Sequence, residues 1–177
     1  VRVDLQTKQT ADGRDFLAIS PKGYVPTLAL ADGSILTEGP AIVQYLADRK
    51  PEAGLAPAAG TMPRYRLIET LNFISTELHK TIGGLFNPAM PDDFKALTKV
   101  RINDRLGELS RQLGEHEFLC GSGFGVADAY AFTVLGWLRL FKMDVAAWPN
   151  LVAYVQRIAA RPAVKQAMLA EGLIKSA

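Results

Sequence analysis

The chain has 177 residues, 49% hydrophobic and 21% charged, with a formal net charge of +2. That is enough apolar material for a sizeable core in one or two domains, and 20 basic residues scattered among 18 acidic ones argue against a nucleic-acid partner read through a basic stripe. No apolar run reaches the length of a membrane span, and a single cysteine excludes an internal disulfide and fits a reducing cytoplasm.

In chain order, Val1 to Leu5 alternates with period 2, which predicts a strand, and neither an initiating Met nor a signal peptide stands before it. Gln6 to Gly13 is polar and loop-like. Arg14 to Ile19 reads as a brief helix. From Ser20 to Leu46 the pattern is denser. Leu28 and Leu30 alternate with Thr27 and Ala29, Asp32-Gly33 interrupts, and Ile35-Leu36 resumes, which predicts an antiparallel hairpin. After Thr37 the period changes: Ala41, Ile42, Tyr45 and Leu46 form one apolar helical face, with Pro40 in a first-turn position. Glu38-Gly39-Pro40 is therefore a strand-to-helix corner. Such a corner aims N–H groups and the positive end of a helix dipole outward, which suits a carboxylate or phosphate, less the donor that Pro40 lacks. Val25-Pro26 enters the first strand, and spacing alone favours an ordinary trans edge proline over a cis bond.

The helix from Pro40 stops near Lys50-Pro51, and the Ala-, Gly- and Pro-rich residues up to Pro63 form a linker. The chain then reads as helical to its end. Leu67, Ile68, Leu71, Ile74 and Leu78 make an apolar stripe, and Asn72, Thr76 and His79, at i, i+4 and i+7, are expected on one face. After the breaks at Gly83-Gly84, Pro88 and Pro91, Asp92 to Glu115 is a long helix with Ile102, Leu106, Leu109 and Leu113 inward. Val126 to Phe141, apolar almost all round, predicts a central buried helix, and Trp148-Pro149 opens another with Leu151, Tyr154, Val155 and Ile158 inward, with a short tail helix after Arg161-Pro162. Cys120, between Phe118-Leu119 and a glycine-rich turn, reads as an inert packed thiol. His116 reads as a solvated residue near a helix end, and by itself His79 reads as a surface or interface histidine.

Three separated stretches change the weight of these observations. Pro21-Lys22-Gly23-Tyr24-Val25-Pro26-Thr27-Leu28, then Leu36-Thr37-Glu38-Gly39-Pro40-Ala41-Ile42, then Thr76-Glu77-Leu78-His79-Lys80 together resemble the bacterial beta class of glutathione transferases, and the resemblance runs from Val1 to Lys175. It implies the glutathione transferase fold: an α+β thioredoxin-like N-terminal domain over residues 1–50, incomplete at its start, a linker over 51–63, and an all-α helical domain over 64–177. It also implies a first strand and helix ahead of Val1, roughly 20 to 30 residues, where the family's reactive cysteine belongs.

For the site, the resemblance assigns Val25 backbone pairing with the cysteinyl part of glutathione, assisted by a cis bond to Pro26. It gives Glu38 and the N–H of Gly39 the γ-glutamyl end. Lys8 would face the glycyl carboxylate. His79 would be the catalytic histidine, donating a hydrogen bond into the sulfur site and favouring the nucleophilic thiolate, with Lys80 lining the same cleft. Asn72 and Glu77 would reach the neighbouring subunit's ligand, so a homodimer is part of the site. Two departures stand out: the family often has Ser where Gly39 stands, and Ser or Thr where Gly125 begins the helix capped by Asp128. Glycine is an acceptable cap at a few tenths of a kcal/mol, roughly.

The implied activity is conjugation of glutathione, a co-substrate, to hydrophobic electrophilic molecules, or glutathione-dependent thiol-disulfide exchange. No metal, nucleic acid or membrane enters it, and the expected compartment is cytoplasmic. Two other readings stay open, a non-catalytic binding or assembly module of the same fold and a dehalogenating transferase of aromatic catabolism.

Overall fold

The computed structural model describes residues 1–121 and 123–175, and the chain divides into two compact units, Val1–Ala53 and Gly54–Ala177.

The first unit opens without the expected strand. Val3 makes only an isolated antiparallel bridge to Thr10, and Gln9 another to Asp15. A turn follows it directly: the Asp4 carboxylate accepts from the amides of Gln6 at 2.8 Å and Thr7 at 3.0 Å, and the Lys8 amide returns to the Asp4 carbonyl. An aspartate that captures the amides just after it turns the chain instead of extending it. Helix α1 (Phe16–Ile19) is capped by the Asp15 side chain, which accepts from the Leu17 amide, and it buries Phe16.

Strands β1 (Thr27–Ala29) and β2 (Ile35–Thr37) form the expected hairpin, with Thr27 opposite Thr37 and Leu28 opposite Leu36. Its turn is built by Asp32, whose carboxylate accepts from both the amide and the hydroxyl of Ser34, and by Gly33 at φ 83°, where a side chain would be strained. Helix α2 (Gly39–Asp48) packs on both strands. Its buried residues are Ile42 and Ala47, while Leu46 is half exposed, so the inward face is narrower than the apolar pattern predicts.

The second unit begins with helix α3 (Met62–Phe73), capped by the Thr61 hydroxyl. Leu67, Leu71, Ile74, Leu78 and Ile82 are all at most 1% exposed, whereas Ile68 is only partly buried. The run does not stay α-helical: Ile74–His79 is a π-helical turn, succeeded by helix α4 (Lys80–Gly84). A π turn holds one residue more than an α turn. Relative to α-helical numbering, the residues beyond it are displaced about 100° round the axis, one residue's share of a 3.6-residue turn.

Helix α5 (Asp92–Leu113) buries Ile102, Leu106, Leu109 and Leu113, as its spacing predicts. Helix α6 (Val126–Leu135) is shorter than expected. Gly136, a poor helix former, ends it, and a 3₁₀ turn (Leu138–Phe141) replaces its last part. Helix α7 (Pro149–Ala160) adds Leu151, Tyr154 and Ile158 to the core, and helix α8 (Pro162–Ala170) comes next.

Asp128, fully buried, ties these pieces together. Its Oδ1 accepts from the Leu119 amide at 2.9 Å and the Tyr154 hydroxyl at 3.0 Å, and its Oδ2 accepts from the Gly125 amide at 2.8 Å. A Cβ on Gly125 would lie 3.0 Å from the Leu55 carbonyl oxygen, which already accepts from the Val126 amide. Glycine here is therefore matched to a close backbone approach.

Candidate glutathione site

In the first unit, the pairing of Thr27 with Thr37 brings Val25-Pro26 and Glu38-Gly39 to the same end of the hairpin. The Val25–Pro26 bond is cis, and Val25 is 46% exposed. Glu38 has φ 72° and ψ 117°, a left-handed backbone that costs a non-glycine residue of order 1 kcal/mol or more. It starts α2, its carbonyl accepting from the amides of Ala41 and Ile42. Its carboxylate meets the Lys22 ammonium at 3.3 Å, both side chains being largely exposed. An exposed pair of this kind contributes at most about 1 kcal/mol, so the carboxylate can exchange Lys22 for a ligand ammonium. Lys8 also has a positive φ, 58°, and its Nζ donates to the Gly23 carbonyl at 3.0 Å. That places its ammonium two residues from Val25, already engaged with the backbone.

In the second unit, Asn72, Glu77, His79 and Lys80 lie on one continuous helical run. Asn72 and Thr76 are exposed, and the Thr76 hydroxyl donates to the Asn72 carbonyl. His79, the last residue of the π turn, is partly buried where Asn72 and Thr76 are exposed. Its Nδ1 lies 2.6 Å from the Tyr130 hydroxyl oxygen, and its ring meets Trp137 edge-on, centroids 4.7 Å apart. Phe86 in turn packs on both Trp137 and Phe141, so His79 edges an aromatic cluster. Lys80 is exposed at the start of α4. The Glu77 carboxylate accepts from Arg101 at 3.1 Å and forms an ion pair with Arg105 Nε at 2.8 Å, a contact along which the N–H is not aimed.

Cys120 is half-buried, and burial pushes its thiol up to about 11. A thiol so rarely ionised at neutral pH is a poor nucleophile, in keeping with an inert role. His116 is exposed. Among the described residues no group of three or more His, Cys, Asp or Glu is placed to hold a metal, and no helix is long and apolar enough to cross a membrane.

Tyr130, Trp137, Lys22, Arg101 and Arg105 are the site neighbours that the sequence did not single out. Tyr130 and Trp137 belong to an apolar run that reads as core, and nothing in local spacing links either to a histidine more than fifty residues earlier.

Residues 1–49 match the glutathione S-transferase N-terminal domain and residues 73–162 the glutathione S-transferase C-terminal domain. The glutathione S-transferase GstA of Escherichia coli O157:H7 is 43% identical over 173 residues, covering 98% of this chain and 86% of that protein. The chain belongs to the glutathione S-transferase family. This transferase is also similar in structure to a bacterial beta-class glutathione S-transferase of Sphingomonas chungbukensis, at 47% identity and a TM-score of 0.93 over 97% of this chain and 86% of that one. A sphingomonad glutathione S-transferase solved in complex with glutathione gives 45% identity and a TM-score of 0.92, with the same coverage of the two chains. The thioredoxin-like N-terminal unit and helical C-terminal unit are thus those of a bacterial transferase with beta-class neighbours.

Proposed function

We propose that this transferase conjugates glutathione to electrophilic small molecules. The observation that carries the reading is likeness along nearly the whole chain, 43% identity to a transferase over 98% of it, joined to a hairpin end that sets Val25-Pro26 beside the Glu38-Gly39 corner. Of the activities the sequence leaves open, conjugation is the one these likenesses favour. The backbone of Val25 pairs with the tripeptide as an added strand does. Glu38 takes its ammonium, and the N–H of Gly39 at the start of α2 takes a carboxylate. Lys8 faces the glycyl end, with Asn72 and Glu77 serving the partner subunit's ligand. Lys80 lines the cleft, His79 donates to the sulfur, and the second substrate is hydrophobic. The cytoplasm, with its glutathione-buffered thiol pool, is the compartment that suits it.

The test is calorimetric titration of the whole protein with glutathione at millimolar concentration. A saturable heat is expected, and Glu38→Gln, which loses a charge-assisted bond, should weaken binding roughly 10-fold. No saturable heat from the unaltered protein would remove the reading.

The same proposal includes a homodimer. Met62 and Tyr65 on α3, and Phe94, Leu97 and Val100 on α5, are large apolar side chains left 58% to 67% exposed, on the helical unit where Asn72 and Glu77 sit. A second copy covers them. Light scattering should give about twice the chain mass of 19.2 kDa; burying an unpaired charge at such a contact is costly, so Leu97→Arg should shift the mass toward one chain. A monomer at working concentration would refute the dimer.

A further inference from the structure

We propose that Tyr130 is a positioning residue for His79, fixing its ring and holding its proton on Nε2. The inference rests on the reading of His79 as the donor to sulfur and deepens it. Three observations converge. The Tyr130 hydroxyl oxygen lies 2.6 Å from Nδ1, a short contact between side chains brought together from α6 and the π turn. Trp137 stands edge-on to the imidazole at 87°, which restricts rotation of the ring about its own axis. His79 is also the last residue of the π turn Ile74–His79, and π turns are rare features frequently found at functional sites.

The chemistry comes from the inventory of a neutral imidazole, one donor and one acceptor. Which nitrogen carries the proton is decided by the bond the other makes. With the Tyr130 O–H donating to Nδ1, the proton resides on Nε2, and Nε2–H is the group that can donate to a thiolate. A thiolate so bonded is stabilised relative to the thiol. The role assigned to the tyrosine hydroxyl is exerted through the histidine, whose Nδ1 it meets at 2.6 Å.

Tyr130→Phe keeps the ring and its packing and removes one oxygen. Nitrogen-15 spectra of the imidazoles report tautomer and hydrogen bonding directly, with the exposed His116 as internal reference. In the unaltered protein the His79 Nδ1 should show the shift of a hydrogen-bond acceptor, and in Tyr130→Phe it should move toward the unbonded value. In turnover, Tyr130→Phe should lower kcat about 10-fold, the size of one lost hydrogen bond, with the KM for glutathione unchanged, and should add nothing in a His79→Ala background. Unmoved Nδ1 shifts, or equal losses in both backgrounds, would overturn the positioning role. If the shifts move as expected while His79→Ala leaves turnover intact, the positioning stands and it is the catalytic reading of His79 that falls.

Discussion

Asp128→Ala is expected to cost about 3 kcal/mol or more of folding stability, a large part of the roughly 5–15 kcal/mol that holds a domain together. The carboxylate is fully buried and takes three donors at once, the amides of Leu119 and Gly125 and the hydroxyl of Tyr154. Alanine leaves the buried Leu119 and Tyr154 donors unpaired, each at about 1–3 kcal/mol, frees the partly buried Gly125 amide, and opens a gap between α6 and α7. Asp128→Asn separates these effects. Its carboxamide oxygen can keep the Leu119 and Tyr154 donors on the Oδ1 side, while its NH₂ faces the Gly125 amide, donor against donor. About 1–2 kcal/mol is the expected loss. Urea unfolding of the three proteins measures both numbers, and an alanine variant as stable as the parent would refute the assignment.

The pH dependence of the same comparison has a definite sign. Burial raises the Asp128 pKa above its ordinary value, and the bonds from Leu119, Gly125 and Tyr154 offset this only in part. A carboxyl whose folded pKa lies above its unfolded one contributes stability that is complete below the unfolded pKa and is lost as pH rises through the folded pKa. The advantage of the parent over Asp128→Asn should therefore shrink as pH climbs from about 4, the ordinary aspartate value, and then level off. An advantage that grows over that range would contradict the burial argument.

His79→Ala is expected to lower kcat/KM for a generic electrophile by about 10- to 100-fold, since a hydrogen bond to a charged group contributes roughly 1.5–3 kcal/mol. Losing the donor withdraws support from the thiolate and not from the thiol, so the sulfur pKa rises. The acid limb of the pH–rate profile should move to higher pH, while glutathione affinity, which the proposed function assigns largely to the hairpin end of the first unit, should change little. A parent-like profile in the variant would mean that His79 does not act on the sulfur.

What could be read from the sequence was whatever repeats along it. Ile102, Leu106, Leu109 and Leu113 declare a buried face because their spacing matches one helical period, and Asp32-Gly33 declares a turn because few other pairs accept its backbone. The hairpin that brings Val25-Pro26 beside Glu38-Gly39 was legible for the same reason. The strand predicted for Val1 to Leu5 is reduced to the bridge of Val3 to Thr10, because alternation names a candidate whereas a strand also needs a paired neighbour, and Asp4 turns the chain just after Val3. The helix expected through Phe141 stops at Gly136, a weak signal inside a run whose apolar character is uniform. Nothing in the residues marks the π turn at Ile74–His79: its spacing of buried positions is also compatible with an α-helix, and the difference lies in which carbonyls the amides reach. The contact of His79 with Tyr130 was out of reach for a related reason, since it depends on where two helical segments come to lie.

The π turn also makes this stretch unusually forgiving of changes in chain length. Deleting one residue from Ile74–His79 could be absorbed by relaxation to an ordinary helical turn, leaving Ile82 and Leu85, both buried, still pointing inward. The same deletion in the middle of α5 has no slack to draw on and would turn half of its four buried side chains away from the core. A single-residue deletion is thus accommodated where Glu77 and His79 lie, so the stretch can lose a residue while the helical framework stays in phase.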